Sequence, residues 1–70
     1  MTWVIATVSD GHTVYIFHLQ LTMIGGLHYI PIYTKSQEEA FTFYSHGEAQ
    51  QMISKLRNPL ERRYHPEPLL

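Results

Sequence analysis

Two residues near the start of the chain, Asp10 and Gly11, constrain the fold most strongly. They separate two apolar runs, and Asp-Gly between such runs is the strongest short signal for a β-hairpin, because both residue types tolerate the positive φ angles of a two-residue turn. The preceding run, 2–8, is also rich in β-branched residues, which favour strands. The sequence therefore predicts two antiparallel strands, over 2–8 and 13–21.

Further strands are predicted after a second turn at Gly25 and Gly26. Residues 27–33 alternate in the manner of a third strand, although Pro31 has no N–H donor and must lie at a sheet edge or turn its nitrogen away from the neighbouring strand. Residues 40–44 predict a short fourth strand. In the second strand, strict alternation places one group on a single face: Tyr15, Phe17, Leu19 and Leu21.

One helix is predicted from a capping box formed by Ser45 and Glu48, in which the serine oxygen accepts a backbone N–H of the first turn. Four apolar residues then recur at helical spacing and form one stripe: Ala49, Met52, Ile53 and Leu56. The helix is expected to end before Pro59, because the residue preceding a proline is pushed out of the helical region.

These elements predict an α+β fold, in the order β-β-β-(β)-α. An antiparallel sheet of three or four strands is covered on one face by a single C-terminal helix. The chain of 70 residues leaves room for one domain. We expect that domain to span 1–58 and to be followed by an extended, Pro-rich, charged tail over 59–70.

Catalytic and metal chemistry find little support in the residue pattern. The chain has no cysteine, and its histidines lack the spacing of a zinc site. The consecutive glutamates Glu38 and Glu39 point apart in any regular element. We therefore expect no enzyme, no metal and no cofactor, with a small hydrolase or isomerase using His18 or His28 as a weaker alternative. The first residues show no basic segment followed by a cleavage site, which indicates a cytoplasmic protein.

Aromatic and aliphatic side chains exceed what one helix can cover. A helix of about 12 residues is about 18 Å long and about 10 Å wide, whereas four strands make a sheet roughly 19 Å across, so one helix cannot cover both faces. Because a contiguous exposed apolar patch marks a partner site, we expect a protein-binding surface on the sheet or on the loop 34–39. Its candidate residues are Tyr15, Phe17, Tyr29, Tyr33, Glu38 and Glu39. A homodimer that buries a sheet face or edge for stability is a second interpretation, and it is compatible with the first.

Charge is unevenly distributed along the chain. Residues 1–54 carry one lysine against four acidic side chains, and residues 55–70 carry four basic side chains against two acidic ones. A basic cluster beside an aromatic ring can contact phosphates and stack a base. The alternative function is therefore a nucleic-acid-binding accessory protein that uses Lys55, Arg57, Arg62, Arg63 and Tyr64.

The run from Glu39 to Ala49, with Trp3 near the start, resembles small proteins of bacteriophages and their hosts in which a β-meander precedes one capped helix. That group includes anti-CRISPR and other host-takeover inhibitors. The resemblance implies a small rigid protein, present in the host cytoplasm if phage-encoded, that inhibits a larger complex such as a bacterial defence complex by steric occlusion. It implies no role for any single residue.

Overall fold

A four-stranded antiparallel sheet forms the body of the protein. The computed structural model describes residues 1–23 and 25–69, and in that part of the chain the strands are β1 (Thr2–Ser9), β2 (His12–Thr22), β3 (His28–Thr34) and β4 (His65–Leu69). The sheet order is β3-β2-β1-β4. A short 3-10 helix (Gln37–Glu39) and one α-helix, α1 (His46–Ser54), lie between β3 and β4. The α+β class and the antiparallel sheet predicted from the sequence are confirmed.

The β1–β2 turn has the predicted two-residue geometry. Asp10 has a φ of 52° and Gly11 a φ of 78°, and the flanking residues Ser9 and His12 pair directly. Positive φ at both central positions is the signature of a type I′ turn, whose twist matches that of the strands it joins.

A β-bulge interrupts β2 between Ile16 and His18. The extra residue shifts the alternation, so Leu19 and Leu21 lie on the same face as Ile16, as their pairing with β3 shows. The predicted grouping of Tyr15 with Leu19 and Leu21 is therefore wrong. Tyr15 lies on the opposite face of the sheet.

Residues 40–44 do not form the predicted fourth strand. They run beside the sheet and make one isolated bridge, in which Trp3 and Phe43 exchange two N–H···O bonds of 2.8 Å. The N–H of Phe41 donates to the carbonyl of Ile16 at 2.8 Å. This segment supplies the buried Phe43 to the core but no continuous ladder.

The helix begins as predicted, with Ser45 at the N-cap and its Oγ accepting the N–H of Glu48 at 3.1 Å. It ends earlier than predicted, at Ser54, and it precedes β4, so the predicted C-terminal placement is wrong. Ala49 and the following Leu56 are buried in one cluster with residues of the sheet and of the bridge at 43. The other members of that cluster are Ile5, Ile16 and Phe43.

The segment predicted as an extended tail contains β4, which pairs with β1 from Thr2–Leu69 to Ala6–His65. Hydrogen-bonded and non-hydrogen-bonded pairs alternate along an antiparallel ladder. Trp3 directs its backbone groups to Phe43, so its pair with Pro68 is a non-hydrogen-bonded one. The nitrogens of Pro66 and Pro68 therefore point to the open edge of the sheet, where no ladder donor is needed.

Candidate functional site

A groove of about 310 Å³ lies along the outer edge of β3. Its walls are formed by three residues of β3 and by the segment that connects α1 to β4. These residues are Ile30, Pro31 and Tyr33, the run 57–60, and Arg62 and Tyr64. The groove therefore brings aliphatic, aromatic and cationic residues together beside one edge of the sheet.

Backbone hydrogen bonds to Tyr29 hold the connecting segment against β3. The N–H of Tyr29 donates to the carbonyl of Lys55 at 3.0 Å, and the carbonyl of Tyr29 accepts the N–H of Arg57 at 2.8 Å. This parallel pairing uses the outer edge of β3 at Tyr29 only. β3 is an edge strand, as Pro31 predicted.

The side chain of Asn58 fixes the loop that follows. Its Oδ1 accepts the N–H of Arg62 and its Nδ2 donates to the carbonyl of Arg62, both at 2.8 Å. Within the same loop, Glu61 adopts the left-handed backbone conformation, with a φ of 52°. Asn58 thereby closes the loop 58–62 and sets the direction in which Arg62 leaves the backbone.

The guanidinium of Arg62 is held by two contacts. Its Cζ lies 5.7 Å from the centre of the Tyr33 ring, and its Nη1 donates to the carbonyl of Val8 at 3.2 Å. A cation over an aromatic face is attracted by the quadrupole of the ring. Arg62 is half-buried and ordered by the fold, whereas Arg57 is exposed and free to meet a ligand.

The hydroxyls of Tyr33 and Tyr64 are hydrogen-bonded to each other at the base of the groove. Burial raises the pKa of Tyr64 well above its usual range, and the bond to Tyr33 raises it further, although the nearby Arg62 acts in the opposite direction. Both rings also pack against the core cluster. The pair joins β3 to the residue that precedes β4 and gives the groove a rigid floor.

The groove is electropositive. Arg57 and Arg62 contribute to its lining, and none of the described lining residues is acidic. The glutamate closest in sequence, Glu61, lies outside the lining. An occupant with a negative charge would therefore meet two guanidinium groups and no opposing carboxylate within the groove.

The residues predicted to bind a protein partner are not gathered on one surface. Tyr33 lines the groove, and the half-buried Tyr29 packs against the core cluster beneath it. Tyr15 lies on the opposite face, and Phe17, at the bulge, is 48% exposed. Glu38 and Glu39 are exposed on the 3-10 helix.

The residues predicted to bind nucleic acid converge more closely. Arg57, Arg62 and Tyr64 line the groove, whereas Lys55 and Arg63 are exposed outside its lining. Two parts of the groove were not predicted from the sequence: its aliphatic wall (Ile30, Pro59 and Leu60) and the Asn58 clamp, by which the Asn58 side chain closes the loop 58–62. The missed residues are Ile30, Pro31, Asn58, Pro59 and Leu60. In the sequence, Asn58 enters only as the residue before Pro59, where the helix is expected to end. The signal for its role in the loop is the ability of an asparagine side chain to hydrogen-bond nearby backbone.

The histidines that could have supported catalysis lie apart. His18 pairs with Ile32, and His28 pairs with Thr22, so the two are not cross-strand neighbours. The Nε2 of His28 lies 3.3 Å from the carbonyl oxygen of Gly25. Within the residues that the structure describes, no three histidine or acidic side chains are grouped so that they could hold a metal ion.

Apolar side chains remain exposed beyond the groove, in agreement with the surplus seen in the sequence. Outside the groove lining, the largest exposed fractions belong to Tyr44, Met1, Met23, Leu27 and Val8. They are scattered over the strand ends and turns. The groove differs from them because apolar and charged groups converge there on one concave surface.

Comparisons with known proteins add no assignment. No family model, no curated protein and no solved structure matches this chain. In the described ranges, no helix is long and apolar enough to cross a membrane.

Proposed function

We propose that this chain is a small non-enzymatic protein-binding module that receives a segment of its partner in the groove along β3. The observation that carries the proposal is the convergence of Arg57, Arg62 and an aliphatic wall beside the outer edge of a strand. Arginine and tyrosine are enriched among the residues that dominate binding energy at protein interfaces. The tyrosine pair and the Asn58 clamp hold the groove in shape before any partner binds.

The floor formed by the Tyr33–Tyr64 pair favours binding of a partner without rearrangement of the groove. The Tyr33–Tyr64 bond and the packing of both rings on the core order the groove in the free protein, which reduces the entropy lost on association. A small rigid module of this kind can act by occupying a surface of a larger complex. We extend the proposal to that mode, steric occlusion of a host complex, because it needs no chemistry beyond the groove.

Nucleic acid is the competing occupant, since three residues of the predicted basic cluster line the groove. Single-stranded nucleic acid is bound by stacking bases on open aromatic faces. Here the Tyr33 face carries the Arg62 guanidinium at 5.7 Å, and Tyr64 is half-buried against the core. Because one Tyr33 face carries a guanidinium, Tyr64 is half-buried and an aliphatic wall stands beside them, the groove suits a polypeptide better than stacked bases.

Continuous edge-to-edge pairing of two copies is disfavoured, because prolines interrupt the row of N–H donors along both outer edges of the sheet. The outer edge of β4 has no N–H donors at Pro66 and Pro68, and the outer edge of β3 is occupied at Tyr29 and lacks a donor at Pro31. Prolines at these positions discourage sheet extension. The groove therefore remains accessible to a different protein.

The test compares two exposed leucines. Leu60 lines the groove and is 72% exposed, whereas Leu27 lies in the β2–β3 turn and is 66% exposed. We expect Leu60→Asp to abolish capture of a nuclease-resistant partner from bacterial lysate, while Leu27→Asp retains it. Circular dichroism checks that both variants fold.

The outcomes separate the alternatives. A partner that is lost with Leu27→Asp but kept with Leu60→Asp, or the absence of any partner sensitive to Leu60→Asp, would overturn the proposal. Capture of nucleic acid alone, with release by nuclease and by added salt, would replace it with the nucleic-acid alternative.

A further inference from the structure

We infer that the occupant of the groove is an extended polypeptide segment in which an acidic side chain lies next to an apolar one. This inference rests on the proposed function and adds the chemistry of the partner. It follows from three features of the groove: the direction of the β3 backbone, the charge of the lining and its aliphatic wall.

The backbone of β3 offers a short open edge beside the groove. The N–H and C=O of Tyr29 point away from β2, as their bonds to Lys55 and Arg57 show. Since backbone directions alternate along a strand, the carbonyls of Pro31 and Tyr33 and the N–H of Tyr33 point to the same outer side. An extended chain can therefore form strand-type hydrogen bonds there.

The open edge is too short to supply the affinity by itself. Pro31 has no N–H, and the pairing with the connecting segment blocks the edge at Tyr29. Side chains must then provide most of the binding energy and all of the specificity. This distinguishes the groove from a surface that accepts any strand.

The charge of the lining determines the polar side chain of the occupant. Arg57 and Arg62 both line the groove, and no described lining residue is acidic. A carboxylate accepts hydrogen bonds from guanidinium groups with charge-assisted strength. A basic segment would be repelled, and a neutral one would leave both arginines without an ionic partner.

The aliphatic wall determines the neighbouring side chain. Apart from Pro31 of β3 and the two tyrosines, the apolar residues of the groove are Ile30, Pro59 and Leu60. A volume of about 310 Å³ is at the lower end of the range for ligand pockets. It accommodates an aliphatic side chain or two beside the carboxylate, as alternation along an extended segment would provide.

The experiment titrates the full chain with a capped peptide of about seven residues, the length of a strand that could lie along β3, in which valine and glutamate alternate. The matched probe replaces each glutamate with glutamine. Binding is measured from backbone amide shifts in two-dimensional NMR. We expect the amides of Tyr33 and Arg57 to move, those of Asp10 and Gly11 to stay, and the glutamine peptide to bind about tenfold more weakly.

Protein variants separate the groove from general charge attraction. Arg57 and Arg63 are both exposed arginines of the basic segment, but only Arg57 lines the groove. We expect Arg57→Gln to weaken binding of the glutamate peptide about tenfold and Arg63→Gln to leave it unchanged. Equal effects of the two substitutions would overturn the inference.

Failure of this inference is distinguishable from failure of the proposed function. Equal binding of both peptides, with both lost in Leu60→Asp, would overturn the acidic preference and leave the groove as a protein-binding site. Failure of the glutamate peptide to bind at all overturns the inferred chemistry, while the lysate test with Leu60→Asp still decides the function. Tighter binding of a short oligothymidylate at the same amides would overturn both.

Discussion

The direction of the β4 backbone predicts which substitutions to proline the strand tolerates. Pro66 and Pro68 are accommodated because their nitrogens face the open edge, whereas Glu67 pairs with Val4 as a hydrogen-bonded residue of the ladder. Proline at 67 would therefore place the missing donor inside the sheet. The substitution Glu67→Pro tests the register of the whole β1–β4 ladder with one residue.

The expected cost follows from the lost hydrogen bond and its setting. Val4 is fully buried, so its carbonyl would lose its partner without access to water, at a cost of about 1–3 kcal/mol. Distortion around the ring adds to this, and we expect Glu67→Pro to lower the free energy of unfolding by about 2–4 kcal/mol. A domain of this length has roughly 4–10 kcal/mol in total, so the variant would be close to unfolding.

The assay is urea denaturation followed by circular dichroism. Glu67→Ala is the matched control, because it removes the 2.9 Å contact between His65 and Glu67 but keeps the N–H. That exposed contact contributes at most about 1 kcal/mol. Pro68→Ala should leave the free energy of unfolding of the monomer within about 1 kcal/mol of that of the parent protein. Equal stability of Glu67→Pro and Glu67→Ala would refute the register argument.

Three further substitutions test other parts of the fold. Ser45→Ala should lower the free energy of unfolding by about 1 kcal/mol in urea denaturation, because the N-cap bond is lost, whereas Ser36→Ala, which removes no cap bond, should have little effect. Gly11→Ala should cost about 1 kcal/mol in thermal unfolding, since its φ of 78° disfavours a side chain; an unchanged midpoint would contradict this. Because the pKa of Tyr64 is raised in the folded state, its contribution is present below pH of about 10 and is lost as pH rises above that value, by at most about 1.4 kcal/mol per pH unit. Tyr64→Phe should reduce that alkaline loss in pH-dependent denaturation, and an unaltered slope would show that another group is responsible.

The features of the fold that were predicted correctly from the sequence are those determined by short-range interactions. The turn at Asp10 and Gly11 and the cap at Ser45 depend on residues that are neighbours along the chain. Their conformations are set by backbone sterics and by short-range hydrogen bonds. Such features do not depend on how distant segments pack.

Long-range pairing explains the errors. Prolines at 59, 66 and 68 with charges between them predict a tail. Pro66 and Pro68, however, are two residues apart, so both nitrogens lie on the same side of a strand, and β1 supplies the ladder on the other side. The bulge after Ile16 cannot be read from alternation, because one extra residue leaves the composition of the strand unchanged. Phe43 lies beside Trp3 without a ladder since only one bridge forms there.

The sequence predicted four residues of the groove lining, in two separate sets with different functions. Tyr33 was assigned to a protein-binding face and Arg57, Arg62 and Tyr64 to a nucleic-acid cluster, and the fold brings all four to one concave surface. Their convergence depends on the segment that connects α1 to β4, which returns to the edge of β3 at Tyr29 and places the Tyr64 hydroxyl against that of Tyr33. No periodicity in the sequence encodes this return.

The pairing of β1 with β4 joins segments at opposite ends of the sequence, from Thr2–Leu69 to Ala6–His65. Closing so large a loop carries a greater entropic cost than closing either hairpin, and we therefore expect β4 to dock late and to be the first strand released by a local opening. Once β4 leaves, the donors of β1 that it had paired face solvent, and they include no proline. The prolines of β4 therefore limit edge-to-edge aggregation only while β4 is paired. When β4 is released, the edge of β1 is exposed, and β1 has no proline to interrupt pairing with another chain.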